Sequence, residues 1–427
     1  MRINRIKATQ SNLASISNVH DRLKQSIFGQ LHKELRGWSS SSFRRAYISK
    51  GHGGQKRAFK VKFMGEGVND YGGPYRAVFE SIIDELQADG AIVGRKISDR
   101  CLLPLLVPCP NRSSAVSANQ DKYLLSPAAT SPLTQELMQF LGKLVGISVR
   151  HNLTIGMSTS SLFWRPLVKL PVTRSNLATV DTLVCNQLVE IEKTGKLYDD
   201  KLGIDSDVST AMDNNKTDTN ASDKFSPSYQ PEEWKDLVFA TYFSDGTRVS
   251  LLPRGEEIPV NLGNWREYVR LVERAHLRES AVMYKVMRDG LSTVLPTELL
   301  PMFTAIELEE LIGGCASVDV NLLKQCTEYE DNLTPDTPLV RNFWEILGEM
   351  SNDELTLFLR FVWARSRMPA SLSELSMNFK LQLAQERGTE DVKSNPDNYL
   401  PSAQTCFFSL ALPNYTTKEV LKRKLLY

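Results

Sequence analysis

The chain has 427 residues, 41% of them hydrophobic and 24% charged, and its 51 Lys and Arg nearly balance 50 Asp and Glu. That length exceeds one compact core and predicts two or three domains of ordinary soluble composition. The longest apolar run, residues 101–108, is broken by prolines and falls short of the ~18 residues a spanning helix needs, and the charged N-terminus has no apolar signal core.

Six cysteines, at 101, 109, 185, 315, 326 and 406, form no C-x-x-C pair and have no histidine cluster beside them. This spacing argues against a zinc site or a disulfide framework, and for reduced thiols in the cytoplasm or nucleus. Charge is uneven: residues 1–62 hold 14 Lys and Arg against Asp21 and Glu34. Such a stretch attracts nucleic acid or anionic lipid. It lacks interleaved aromatics and any nucleic-acid motif, so a solvated or partner-facing surface is the better reading.

In chain order, Leu23, Ile27, Leu31 and Leu35 give weak helical periodicity, and a serine-rich connector follows Trp38. Residues 1–42 therefore read as a basic N-terminal extension. Val61, Phe63 and Met64 mark a strand, the glycines around Asp70 a turn, and residues 74–86 a helix carrying Val78, Phe79, Ile82 and Ile83. Residues 51–56 lack the Gly-Lys-[Ser/Thr] ending of a phosphate loop, which rejects nucleotide binding. Residues 198–233 are polar and poor in apolar side chains, and read as a disordered insertion. Thr304 with Glu307, Ser351 with Glu354, and Thr416 with Glu419 each predict a capping box that opens a helix. Residues 331–338, polar and twice broken by proline, form the best domain boundary. The last helix reaches Tyr427 without a stop signal.

The decisive stretch is Leu400-Pro401-Ser402-Ala403-Gln404-Thr405-Cys406-Phe407. After Cys406, the alternation of Phe408, Leu410 and Leu412 with Ser409 and Ala411 predicts a half-buried strand, stopped by Pro413. A thiol at the mouth of such a strand is held rigidly while its sulfur still faces solvent, which suits a nucleophile. Taken alone, a cysteine beside a strand is more often a small buried hydrophobe.

Its neighbours shift that balance. The L-P-x-x-x-T-C-F segment, followed by Leu410-Ala411-Leu412-Pro413-Asn414-Tyr415, closely resembles the catalytic segment of HECT-type ubiquitin ligases. Segments at 59–73, 140–146, 306–314 and 365–369 resemble the same family in the same order. The wording at 67–76 is most similar to the large HERC-type members. The resemblance implies an α+β, bilobal HECT domain. A larger, mostly helical N-lobe (43–332) holds a small conjugating-enzyme-binding subdomain (178–288). A hinge (333–338) leads to a smaller α/β C-lobe (339–427), which looks truncated because the family continues in a tail with a critical hydrophobic end.

By the same resemblance, Cys406 accepts ubiquitin as a thioester from a ubiquitin-conjugating enzyme and passes it to a lysine of a protein substrate, without metal or organic cofactor. Thr405 is implied to orient the thioester. Gln404 stands where many members have histidine. Val184, Leu188, Leu237, Tyr268 and Val272 align with the partner groove, although apolar residues at helical spacing are more often core. Glu66 and Asp70 read as structural. Two alternatives stay open: a catalytically impaired module that only binds the conjugating enzyme, and a cysteine hydrolase, against which the absent Cys/His signature argues.

Overall fold

The computed structural model describes residues 1–48, 55–67, 70–88, 101–113, 119–128, 130–202, 226–315, 317–369, 375, 377–384 and 391–427. The chain divides into two compact units. One comprises residues 1–105, 132–158 and 286–427, the other residues 106–131 and 159–285.

In the first unit the basic N-terminal segment is part of the core and not an extension. Arg2–Ile3 pairs in parallel with Lys62–Phe63, and Ile3, Leu13, Leu31 and Leu35 are fully buried. The expected connector forms a short helix, Ser40–Phe43, with Trp38 edge-on to Phe43 and Phe59. The Ile27–Leu35 helix starts against the Gly73–Gln87 helix, whose Glu85 carboxyl accepts the Ile27 and Phe28 N–H groups at 2.6 and 3.0 Å. Desolvation outweighs those two donors and pushes Glu85 up to about 8.

A carboxyl raised in this way carries a sign. Between its ordinary value near 4.5 and about 8, the folded chain keeps a proton that the unfolded chain has lost. Its contribution is complete below that window and fades as pH rises through it, by roughly 1.4 kcal/mol per unit. Urea melts of the wild type should therefore weaken from pH 5 toward pH 8, and Glu85→Gln should flatten that slope.

The C-terminal part of this unit is built on a four-stranded sheet in the order Thr327–Tyr329, Phe379–Leu383, Ser409–Leu412, Ser402–Gln404, parallel except for the last pair. Helices Pro338–Glu349, Asn352–Trp363 and Lys418–Leu425 supply much of its packing. Phe408, Leu410 and Leu412 are fully buried, as the alternation predicts. The capping boxes at Thr304 and Ser351 form. The third does not form: Thr417 caps the last helix by accepting the Val420 N–H, without a reciprocal bond, because Thr416 is taken by Asp397 through both its N–H (3.0 Å) and its hydroxyl (2.5 Å). Before Pro338 the chain turns through two left-handed residues, Asp331 and Asn332.

The second unit holds two hairpin-like pairs, Leu106–Pro108 with Tyr123–Leu125 and Ala240–Tyr242 with Arg248–Ser250. It also holds the Thr182–Leu202 and Trp265–Arg278 helices. Of the expected insertion, residues 203–225 lie outside the described residues. Its flanks are ordered: residues 198–202 finish a helix, and Glu232–Trp234 forms a 3-10 turn whose Trp234 is buried. No described helix is long and apolar enough to cross a membrane.

Candidate active site

Cys406 sits in a single 3-10 turn, Thr405–Phe407, that joins two antiparallel strands paired Ser409 to Gln404 and Leu410 to Ala403. Phe408 anchors the exit of this turn. It adopts a left-handed backbone (φ 49°), is fully buried, and stacks on Trp363 with ring centroids 4.3 Å apart. Its carbonyl accepts the Lys380 N–H at 2.9 Å. Cys406 stays half-buried between the fixed ends of the turn.

The Gly73–Gln87 helix faces the turn. Its first residue donates its backbone N–H to Cys406 Sγ at 3.3 Å. That N–H is one of the groups a helix start leaves without an intrahelical partner, and it carries the positive end of the helix dipole. Close approach requires glycine here, since a Cβ at Gly73 would strike Thr405 Oγ1 and lie 3.0 Å from Cys406 Sγ.

One turn further on, Arg76 is 1% exposed. Its Nε donates to the Trp363 carbonyl at 3.1 Å, its Nη1 to Gln55 Oε1 at 3.2 Å, and its Nη2 to the Thr405 carbonyl. Burial pushes this guanidinium down to about 10, against the pull of Cys406 and Asp70, so it remains a cation at neutral pH. Nearby, Arg365 is pushed down to about 9 by burial and by Arg76, and lies over the Trp363 ring at 4.2 Å. Glu80, raised by burial, accepts from the Ser366 N–H (3.2 Å) and hydroxyl (2.6 Å). These contacts pin the end of the Asn352–Trp363 helix and the cysteine turn to one helix.

Among the expected site residues, Cys406 and Thr405 are together in this turn, and it is the Thr405 carbonyl that Arg76 engages. Gln404 is exposed beside them. Among the described residues, the hydrogen-bond partner of the sulfur is the Gly73 backbone N–H and not a histidine. His151 is buried elsewhere, bound to Tyr75 Oη at 2.9 Å and pushed down to about 4 by burial. Asp70 ties its turn together, accepting the Val61 and Gly72 N–H groups at 2.8 and 2.9 Å and pairing with Arg57 at 3.1 Å. Glu66 pairs with Arg5 at the surface. The sequence assigns no site role to Gly73 and Arg76, although both lie in the 67–76 stretch that resembles HERC-type members; their local signal is a Gly-Gly-Pro helix start followed by an arginine on the first turn.

The five expected groove residues lie in the second unit. Leu188, Tyr268 and Val272 are sealed in its core, and Val184 and Leu237 pack against that core half-buried. Leu237 lies just before the Ala240–Tyr242 strand. Asn264 occupies the N-cap position of the Trp265–Arg278 helix without a side-chain cap bond, because its Oδ1 accepts the Asn261 N–H instead. With Leu188 2% exposed, Leu188→Ala is expected to cost about 2–5 kcal/mol of unit stability in a thermal melt. Any loss of partner binding in that variant should track its unfolded fraction.

The turn, its cysteine and its sheet belong to a HECT domain: the HECT-domain (ubiquitin-transferase) profile matches residues 93–427, and the chain belongs to that family. It is 32% identical over 404 residues to the E3 ubiquitin-protein ligase HERC2 of Homo sapiens, covering 94% of this chain and 7% of that protein. It is 27% identical to the probable E3 ubiquitin-protein ligase HECTD4 of Homo sapiens, over 86% of this chain and 9% of the other. The E3 ubiquitin-protein ligase pub1 of Schizosaccharomyces pombe is 26% identical over 87% of this chain and 41% of its own length. The chain thus spans under a tenth of the length of HERC2, its 32%-identical relative.

Proposed function

We propose that this chain is a ubiquitin-protein transferase in which Cys406 carries ubiquitin as a thioester. The Cys406 thiolate attacks the thioester carbonyl of a charged ubiquitin-conjugating enzyme, and the bond to the conjugating enzyme's sulfur breaks. A substrate lysine amine then attacks the new thioester, forming an isopeptide bond and releasing the Cys406 thiolate. The first step exchanges one thioester for another of similar energy, so positioning supplies much of the rate. The observation that carries this reading is the half-buried Cys406, held in a turn fixed at both ends with its sulfur against a backbone donor. Thr405 contributes through its backbone carbonyl, by which Arg76 orients the turn. The second unit receives the conjugating enzyme, with Val184 and Leu237 at the edge of the apolar core that supports the docking face. The six free thiols fit a reducing compartment, cytoplasm or nucleus.

A single-turnover assay with charged conjugating enzyme tests it. A thiol-reducible ubiquitin adduct is expected on the wild type and none on Cys406→Ala. No adduct on a folded wild type that still binds the conjugating enzyme would leave a docking module. Release of free ubiquitin without acceptor labelling would identify a hydrolase.

A further inference from the structure

In the second unit, arginine recurs at every fourth position of the Trp265–Arg278 helix: Arg266, Arg270, Arg274 and Arg278. All four are exposed and line one groove of about 730 Å³. Four-residue spacing puts them on one helix face, about 6 Å apart along the axis. Like charges at that spacing repel. The helix dipole excuses basic residues only in the last turn, whereas Arg266 is the second residue, at the unfavourable end.

The groove does not neutralise itself. Its two carboxylates, Glu192 and Glu273, are both taken by Arg174, at 2.8 and 2.5 Å. Arg266 has Asp199 at 2.7 Å, and Arg270 has only Glu267 at 3.7 Å, at the surface. Among the described residues, Arg274, Arg278 and the groove's Lys196 have no carboxylate within 4.0 Å. Val172, Val269 and Leu277 complete the lining with apolar surface.

We infer that this groove binds an extended acidic peptide segment of a partner protein, with carboxylates at alternate positions and aliphatic side chains between them. Alternate side chains of an extended strand lie on one side, about 6.8 Å apart, close to the spacing of the arginines. The apolar lining receives the intervening side chains. Single-stranded nucleic acid fits less well, because its binding draws on open aromatic platforms. The groove's one aromatic, Trp265, is 4% exposed and covered by Arg266 at 4.7 Å.

Fluorescence anisotropy with the whole chain tests this, using a fluorescein-labelled seven-residue peptide of alternating glutamate and valine. Binding is expected to weaken as salt rises from 50 to 300 mM. It should fall at least tenfold in the double variant Arg274→Glu, Arg278→Glu, whose melting temperature should stay at the wild-type value because both side chains are exposed. A block-sequence peptide of the same composition should bind more weakly than the alternating one. Equal binding by wild type and double variant, no preference between the two peptides, or tighter binding of an octathymidylate would each overturn the proposal.

Discussion

Arg76→Ala is expected to remove about 3 kcal/mol or more of stability and to slow ubiquitin loading at Cys406 by roughly tenfold or more. One buried guanidinium holds three acceptors: the Trp363 carbonyl at the end of a helix, the Gln55 side chain, and the Thr405 carbonyl beside the cysteine. Alanine removes this donor from the buried Trp363 carbonyl and the part-buried Thr405 carbonyl and leaves Gln55 Oε1 a long contact with Arg365 Nη2 at 3.5 Å, and each orphaned buried acceptor costs about 1–3 kcal/mol. The turn would then lose the tie on its Thr405 carbonyl and keep the pairing of Gln404 with Ser409, the Gly73 contact and the stack of Phe408 on Trp363. Arg76→Lys separates charge from geometry. An ammonium keeps the cation but has no planar fork to span two carbonyls, so it should recover part of the stability and little of the loading rate. Urea melts and single-turnover loading, measured together, check this. Full loading by a folded Arg76→Ala chain would remove Arg76 from the positioning of Cys406.

How much was legible in the sequence follows from the range of the forces involved. The strand after Cys406 was readable because alternation is local: Phe408, Leu410 and Leu412 must share a face whatever they pack on. The capping boxes at Thr304 and Ser351 close within three residues, so they too were visible. Thr416 misled because its hydroxyl was claimed by Asp397, 19 residues upstream. The N-terminal segment looked like a charged extension because what binds it is distant. Glu85, some 57 residues from Phe28, receives the helix start, and Arg22, counted as surface charge, is 2% exposed and donates to the Leu102 carbonyl at 3.0 Å. Tyr268 and Val272 are expected as partner contacts by alignment with the family's groove, while their helical spacing, which cannot tell a core face from a docking face, favours the core. The arginines on the same helix were not noticed, since a four-residue charge repeat ordinarily marks a solvated side. Gly73 and Cys406 are 333 residues apart, and no local pattern joins them.

Gly73→Ala is expected to slow both transfers, loading of Cys406 and passage of ubiquitin to lysine, by roughly tenfold or more. The substitution is benign to the helix itself, for which alanine is the better former. Its cost lies in the added methyl, which would strike Thr405 Oγ1 and crowd Cys406 Sγ at 3.0 Å. The turn must therefore withdraw from the helix start. Withdrawal also takes the sulfur away from the Gly73 N–H. In loading, as the Cys406 thiolate attacks a thioester, and in ligation, as an amine attacks the new one, negative charge grows on the carbonyl oxygen, two bonds from Sγ. The Gly73 N–H, now 3.3 Å from that sulfur, is within reach of such an oxygen and would stabilise it without reorganisation. Single-turnover loading reads the first step, and pulse–chase transfer to free lysine reads the second. Equal chase rates for wild type and Gly73→Ala would mean that the contact between Gly73 and Cys406 belongs to the resting chain and plays no part in ligation.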